Sequence, residues 1–139
     1  RLRLRLVESP DGQLLERKLG HKRRVVDDDP TAVMHTSLHL DRDEFELLAA
    51  LPGQDLVKVR WAIDLYGEDG LVDVFEGDLL GLVMLEVDLK SANRLAGFSP
   101  PDWAGPEVTH DEAFNGGVLS TLLPADLAQA VTRLVGSGR

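Results

Sequence analysis

The sequence predicts an α+β fold: an antiparallel β-sheet, closed or nearly closed on itself, with short helices packed outside it. Three observations lead there. Runs in which apolar and polar residues alternate recur along the chain, the period of a strand with one buried face. The helical patterns between them are short, and turn residues such as Asp11-Gly12, Pro30 and Pro52-Gly53 bound several of the runs. A length of 139 residues with 43% hydrophobic and 28% charged residues suits one globular domain, taken here as 1–139. Alternating strands joined by short connections close more readily into an antiparallel sheet than into a parallel one, which needs long crossovers.

The first run, RLRLRLV (1–7), puts Arg1, Arg3 and Arg5 on one face and Leu2, Leu4 and Leu6 on the other. Asp11-Gly12 then favours a hairpin, and QLLERKLGHKRRVV returns as a second strand containing Lys22. DDDPTA (27–32) reads as a solvated acidic turn, because consecutive carboxylates diverge rather than converge on an ion. VMHTSLHL (33–40) alternates weakly and is expected to be a strand. Its histidines, His35 and His39, read as surface or core residues rather than metal ligands. In DRDEFELLAALPG (41–53), Asp41 caps a helix with Glu44 three residues on, Phe45, Leu48 and Ala49 form its apolar stripe, and Pro52-Gly53 ends it.

DLVKVRWAIDLYGEDG (55–70) follows as strand and turn. Lys58 and Arg60 share one face, and Val57, Val59, Trp61 and Ile63 share the other. In VDVFEG, Asp73 leaves a strand on the side opposite Val72 and Val74. In LVMLEVDL (82–89), Glu86 and Asp88 point to one face while Val83, Leu85, Val87 and Leu89 take the other. If these two strands are neighbours, three acids converge. KSANRLAGF (90–98) is expected to form a short helix leading into the stiff Ser99-Pro100-Pro101 connector. Trp103 is expected against the sheet, Thr109 with Glu112 as a capping box, and PADLAQAVTRLVG (124–136) as an amphipathic helix carrying Leu127, Val131 and Leu134 on one side.

Charge is segregated. Residues 1–24 hold eight Lys/Arg against three acids, a local +5, whereas the remainder holds seven against 21, or −14, for a net charge of −9. A basic region in an acidic body suits a confined anion better than a long nucleic-acid track, which needs a larger basic surface, so no nucleic-acid partner is expected. No apolar run reaches the roughly 18 residues of a membrane span, so no membrane partner is expected. The absence of cysteine excludes disulfides and thiolate metal sites and fits a reducing cytoplasm.

Residues 71–117 carry a resemblance. Asp73 with Gly77, Gly81-Leu82, the pair Glu86/Asp88, Trp103-Ala104-Gly105, Glu107-Val108-Thr109 and Asn115 stand in the order and spacing found in the C-terminal half of the CYTH family. That family comprises the triphosphate tunnel metalloenzymes: thiamine triphosphatases, inorganic triphosphatases and class IV adenylyl cyclases. The resemblance implies an antiparallel barrel, usually of eight strands, whose lumen is lined by charged residues. It implies triphosphate binding by Arg1 and Arg3 of the R-x-R strand, by Lys22 in place of an L-T-x-K lysine, and by Lys58 and Arg60 of a K-x-R strand. Spacing alone reads Lys22 as a solvated surface lysine, and the family's threonine is here Gly20.

The resemblance further implies that Asp73, Glu86 and Asp88 hold Mg²⁺ or Mn²⁺. A triphosphate carries about four negative charges, and hard divalent cations bridge such an anion to carboxylates. The reaction implied is metal-assisted hydrolysis of a terminal phosphoanhydride by water, with no covalent nucleophile. Two alternatives share the same cage: a non-catalytic module binding triphosphate or polyphosphate, and a class IV-type adenylyl cyclase. A third reading is an interaction domain whose charges merely pair.

The sequence departs from the family at three places. His35, Thr36, Ser37 and His39 occupy the position of an R-x-E-x-E pattern, Pro106 stands where a basic residue is common, and the E-x-E-x-K strand would lie before Arg1. Because Arg1 falls inside a strand pattern, a preceding segment is expected.

Overall fold

The computed structural model describes residues 2–26 and 29–137. It divides into two compact units, Arg1–Gln54 and Asp55–Arg139. Six strands pair as two three-stranded antiparallel sheets, with short helices between and after them. The expected antiparallel pairing and short helices are therefore present, but no closed barrel is formed among the described residues.

In the first unit, β1 (Leu2–Glu8), β2 (Leu14–Arg24) and β3 (Val33–His39) pair in sequence order. The β1–β2 turn is built as its residues dictate. Gly12 has φ of 81° and its amide donates to the Ser9 carbonyl at 2.9 Å. Arg3 lies opposite Gly20, which lies opposite Ser37; Arg5, Lys18 and His39 form the next rung of that face. Leu4, Leu19 and Leu38 form a rung of the other face. The acidic turn follows β2, and there the Asp29 carboxylate accepts from the Thr31 amide at 2.8 Å. Helix α1 (Arg42–Ala49) starts at the predicted capping box: the Glu44 amide donates to the Asp41 side chain at 2.8 Å, and the Asp41 amide to the Glu44 carboxylate at 2.9 Å. No hydrophobic side chain of this unit is fully buried among the described residues.

In the second unit, β4 (Lys58–Leu65), β5 (Glu68–Phe75) and β6 (Val83–Asp88) also pair in sequence order. The β4–β5 turn uses Tyr66 and Gly67, both at positive φ (58° and 83°), the mirror-image turn that matches strand twist. One face of this sheet carries Lys58, Arg60, Asp64, Asp69, Leu71, Asp73, Glu86 and Asp88. The opposite face carries Val59, Trp61, Ile63, Val72, Val74, Val83, Leu85 and Val87.

The core of this unit gathers at one end of the sheet. Phe75, Leu79, Leu82, Phe114, Leu119, Leu127 and Ala130 form one cluster, with Leu119 the most deeply buried. Burying each large side chain contributes about 1.5–3 kcal/mol. Helices α2 (Ala92–Gly97), α3 (Gly116–Leu119) and α4 (Pro124–Ser137) follow the sheet. The buried stripe of α4 is Leu127, Ala130 and the partly buried Leu134 rather than Leu127, Val131 and Leu134, since Val131 is 38% exposed. Trp103 does not pack on the sheet as expected: it is 63% exposed, in the turn after Pro101. The cap near Thr109 is instead Asp111, whose carboxylate accepts from the Ala113 amide at 3.0 Å and starts a 3-10 turn over Glu112–Phe114.

Candidate functional site

The strand pairing of the second unit decides which charges meet. Arg60 stands directly opposite Asp73, and Lys58 opposite Phe75 one rung further along. Three of the strongest donors and acceptors of this sheet thus share one small area. The Asp73 carboxylate accepts from Arg60 Nε at 2.6 Å and Nη2 at 2.7 Å, and from Lys58 Nζ. Arg60 therefore grips Asp73 with two parallel bonds, the geometry in which a guanidinium is strongest. Its Nη2 also donates to Glu86 at 2.9 Å, which ties the third strand to the same network. The Lys58 ammonium lies 5.4 Å from the centroid of the Phe75 ring, an additional attraction for the cation.

Burial grades across this network. The Asp73 side chain is 4% exposed, those of Lys58 and Arg60 are 28% and 31%, and that of Glu86 is 49%. Burial alone would raise the pKa of Asp73, but hydrogen bonds from Arg60 and Lys58 together outweigh it and hold the carboxyl below its usual range. The Arg60 guanidinium is held charged chiefly by its bond to Asp73. Lys58 shifts the other way: desolvation of the ammonium outweighs its bond to Asp73, and Arg60 adds repulsion. Asp73 gives two of its three contacts to Arg60 and one to Lys58.

The sequence-predicted residues are thus partly assembled. Lys58, Arg60, Asp73 and Glu86 meet on one sheet face. Asp88 does not join them: it stands opposite Asp69, two rungs from Asp73. Asp73, Glu86 and Asp88 do lie on neighbouring strands with their side chains on one face, but they do not converge, and no group of three His, Asp or Glu residues among the described residues is placed to hold a metal ion. Asp73 in particular has both carboxylate oxygens engaged by cations, so it does not fit the role of a metal ligand as it stands. Glu86 and Asp88, both exposed, fit the more modest share of one or two carboxylates that Mg²⁺ takes when phosphate oxygens and water complete its shell.

In the first unit, Arg3 and Lys22 lie on one face of β1–β2–β3, with Arg5, Lys18, His35 and His39. Lys18 there is paired to Glu16 at 2.6 Å. Arg1 lies outside the described residues. Glu107 lines a shallow cleft with Thr109, His110, Asp111 and Arg133, and no contact joins it to Asp73 among the described residues. Sequence reading missed that Asp64, Asp69 and Asp88 form one acidic rung across all three strands. It also missed the buried Glu68, whose carboxylate accepts from Arg94 Nε at 3.0 Å. Alternation signals both once the register is known, but register is set by pairing and not by composition.

No family model matches the chain. Among curated proteins it is 34% identical over 89 residues to an inorganic triphosphatase of Nitrosomonas europaea, covering 63% of this chain and 59% of that protein. It is 39% identical over 57 residues to an inorganic triphosphatase of Acetivibrio thermocellus, covering 41% of this chain and 35% of that one. The chain therefore spans less than two thirds of the length of the curated relatives it matches. Among solved structures it is similar to the crystal structure of an inorganic triphosphatase, with a TM-score of 0.57, 27% identity, and coverage of 88% of this chain and 77% of the other. Both comparisons agree with the resemblance to the CYTH family: this chain is similar in sequence and in structure to proteins named inorganic triphosphatase.

Proposed function

We propose that this chain hydrolyses the terminal phosphoanhydride of a triphosphate, inorganic triphosphate first among them, with residues 1–139 working as a single functional domain. The observation that carries the reading is the Lys58–Arg60–Asp73–Glu86 face: two cations held side by side by one buried carboxylate, in a chain whose relatives bear the name inorganic triphosphatase. Asp73 positions Lys58 and Arg60. It fixes the guanidinium so that its remaining donors are presented without the entropy cost of ordering a free side chain. Lys58 supplies a point charge and Arg60 a planar fork, a division of labour suited to neighbouring phosphoryl groups. Arg1, Arg3 and Lys22 are proposed as further phosphate ligands, on the strength of the family resemblance.

Mg²⁺ or Mn²⁺, when bound, would neutralise charge on the phosphate oxygens. Glu86 and Asp88 are the residues that would hold it, with Asp73 joining only if a ligand first releases it from Lys58 or Arg60. A reducing cytoplasm is the proposed compartment. The described residues contain no helix long and apolar enough to cross a membrane.

One observation favours a second reading, a module that binds triphosphate or polyphosphate without cleaving it: the carboxylates do not form a three-acid cluster among the described residues. Phosphate release from tripolyphosphate, with Mg²⁺ or Mn²⁺ added, separates the two. Release that disappears in Arg60→Ala supports hydrolysis. Thermal stabilisation by tripolyphosphate without release supports the binding module, and neither effect at millimolar ligand overturns both. Production of a cyclic nucleotide from ATP under the same conditions would instead favour the cyclase alternative.

A further inference from the structure

The face of β1–β2–β3 that carries Arg3 and Lys22 has at its centre a side chain assigned no role above. Gly20 is buried, and the imidazole of His35 lies over it: a Cβ built on Gly20 would stand 3.2 Å from His35 Nε2. Ordinary side-chain contacts to a Cβ are longer than this, so the ring occupies space that any larger residue at position 20 would claim. The same nitrogen lies 3.5 Å from Ser37 Oγ. Lys22 stands directly opposite His35, and Arg3 directly opposite Gly20. The ring therefore sits over a glycine gap on β3, beside cations drawn from the other two strands, Arg3 and Arg5 of β1 and Lys18 and Lys22 of β2.

We propose that His35 is an oligophosphate-binding side chain, which takes a ligand oxygen as an imidazolium and makes binding on this face stronger as the pH falls. The inference rests on the triphosphate reading above and deepens it by adding a ligand and a pH response. The groups facing His35 are Lys22, Arg5, Lys18 and Arg3, with Arg24 one rung beyond Lys22 and Glu16 and His39 further along the face in the other direction, where both engage each other or Lys18. Partial desolvation, followed by the charges of Lys22, Arg5, Lys18 and Arg3, holds the imidazole below its ordinary pKa. A polyanion laid across the same cations reverses that influence: it neutralises the repulsion and offers the ring an acceptor. Arginine and lysine stay charged throughout the physiological range, so among the basic groups closest to this point His35 alone can convert a pH change into a change of affinity.

The test is an NMR titration of the His35 ring from pH 5 to 8.5, with and without tripolyphosphate, in the presence of a chelator so that nothing is turned over. The pKa is expected to rise by about one unit on binding, which corresponds to about a tenfold tightening between the two ends of the titration. His35→Asn, compared by calorimetry with the parent protein, removes that component and leaves only the ligand's own protonation. Gly20→Ala, which displaces the ring without removing it, should blunt the effect. A parent protein that binds tripolyphosphate with an unmoved His35 pKa, or with the same pH dependence as His35→Asn, overturns this inference and leaves the triphosphate reading intact. Failure to bind tripolyphosphate at any pH overturns both.

Discussion

Replacing Asp73 with asparagine keeps the shape of the side chain and removes its charge, so the loss can be worked from the contacts it makes. Asp73 accepts three charge-assisted hydrogen bonds from Lys58 and Arg60. An asparagine oxygen retains at most two, each weakened by the loss of the carboxylate charge, and its amide group then faces Arg60 donor to donor. Leaving a buried charge without its partner typically costs 3–5 kcal/mol. Here both cations keep roughly 30% of their side-chain surface in water and can rehydrate, which places the cost near the low end, about 3 kcal/mol. At 1.36 kcal/mol per decade, amides of the β4–β5 ladder that exchange through opening of this sheet should exchange about a hundredfold faster. Hydrogen exchange resolved by residue measures this directly, and the β1–β2 amides serve as reference because they belong to another sheet. Acceleration of less than about threefold, well under 1 kcal/mol, would mean that Asp73 does not hold the cations in place and would refute the positioning role argued for it.

Other consequences follow from the same contacts. Because the folded pKa of Asp73 is depressed, its contribution is fully present above the unfolded carboxyl value of about 4 and is lost as pH falls through the folded value. The parent protein should therefore lose stability below about pH 4 more steeply than Asp73→Asn, and parallel acid denaturation curves would contradict this. Arg60→Lys keeps the charge but loses the bidentate grip, so it should weaken tripolyphosphate binding about tenfold, with recovery to parental affinity counting against a planar-fork role. Arg94→Ala leaves the Glu68 carboxylate, which is 8% exposed, without its cation. It should destabilise the second unit by about 1–3 kcal/mol, measured by urea unfolding, and Glu68→Gln in the same background should recover part of the loss.

Much of this architecture is legible in the alternation of the chain. Each of the six strands overlaps a stretch read as strand, although β5 begins at Glu68, inside what reads as a turn, and the Asp41/Glu44 capping box starts its helix where expected. The face shared by Lys58, Arg60, Asp73 and Glu86 follows from period two alone once the strands are neighbours. The identity of each charge's partner is not written there. Asp73 is a β5 residue flanked by valines in either account, yet whether it meets a metal or two cations depends on which β4 residue stands opposite it, and that is Arg60. Trp103 shows the same limit from the other side. A large apolar residue is expected indoors, but the Pro100-Pro101 connector fixes the path of the backbone and leaves the indole mostly in water.

The pairing of Arg60 with Asp73 has a consequence for how the β4–β5 hairpin finds its alignment. Sliding one strand by a single residue would set Trp61 against Asp73 and bring Arg60 onto the aliphatic side, stranding both charges at once. The ion pair thus disfavours a misaligned hairpin, so the side chains proposed to grasp an anion would also proofread the fold that presents them.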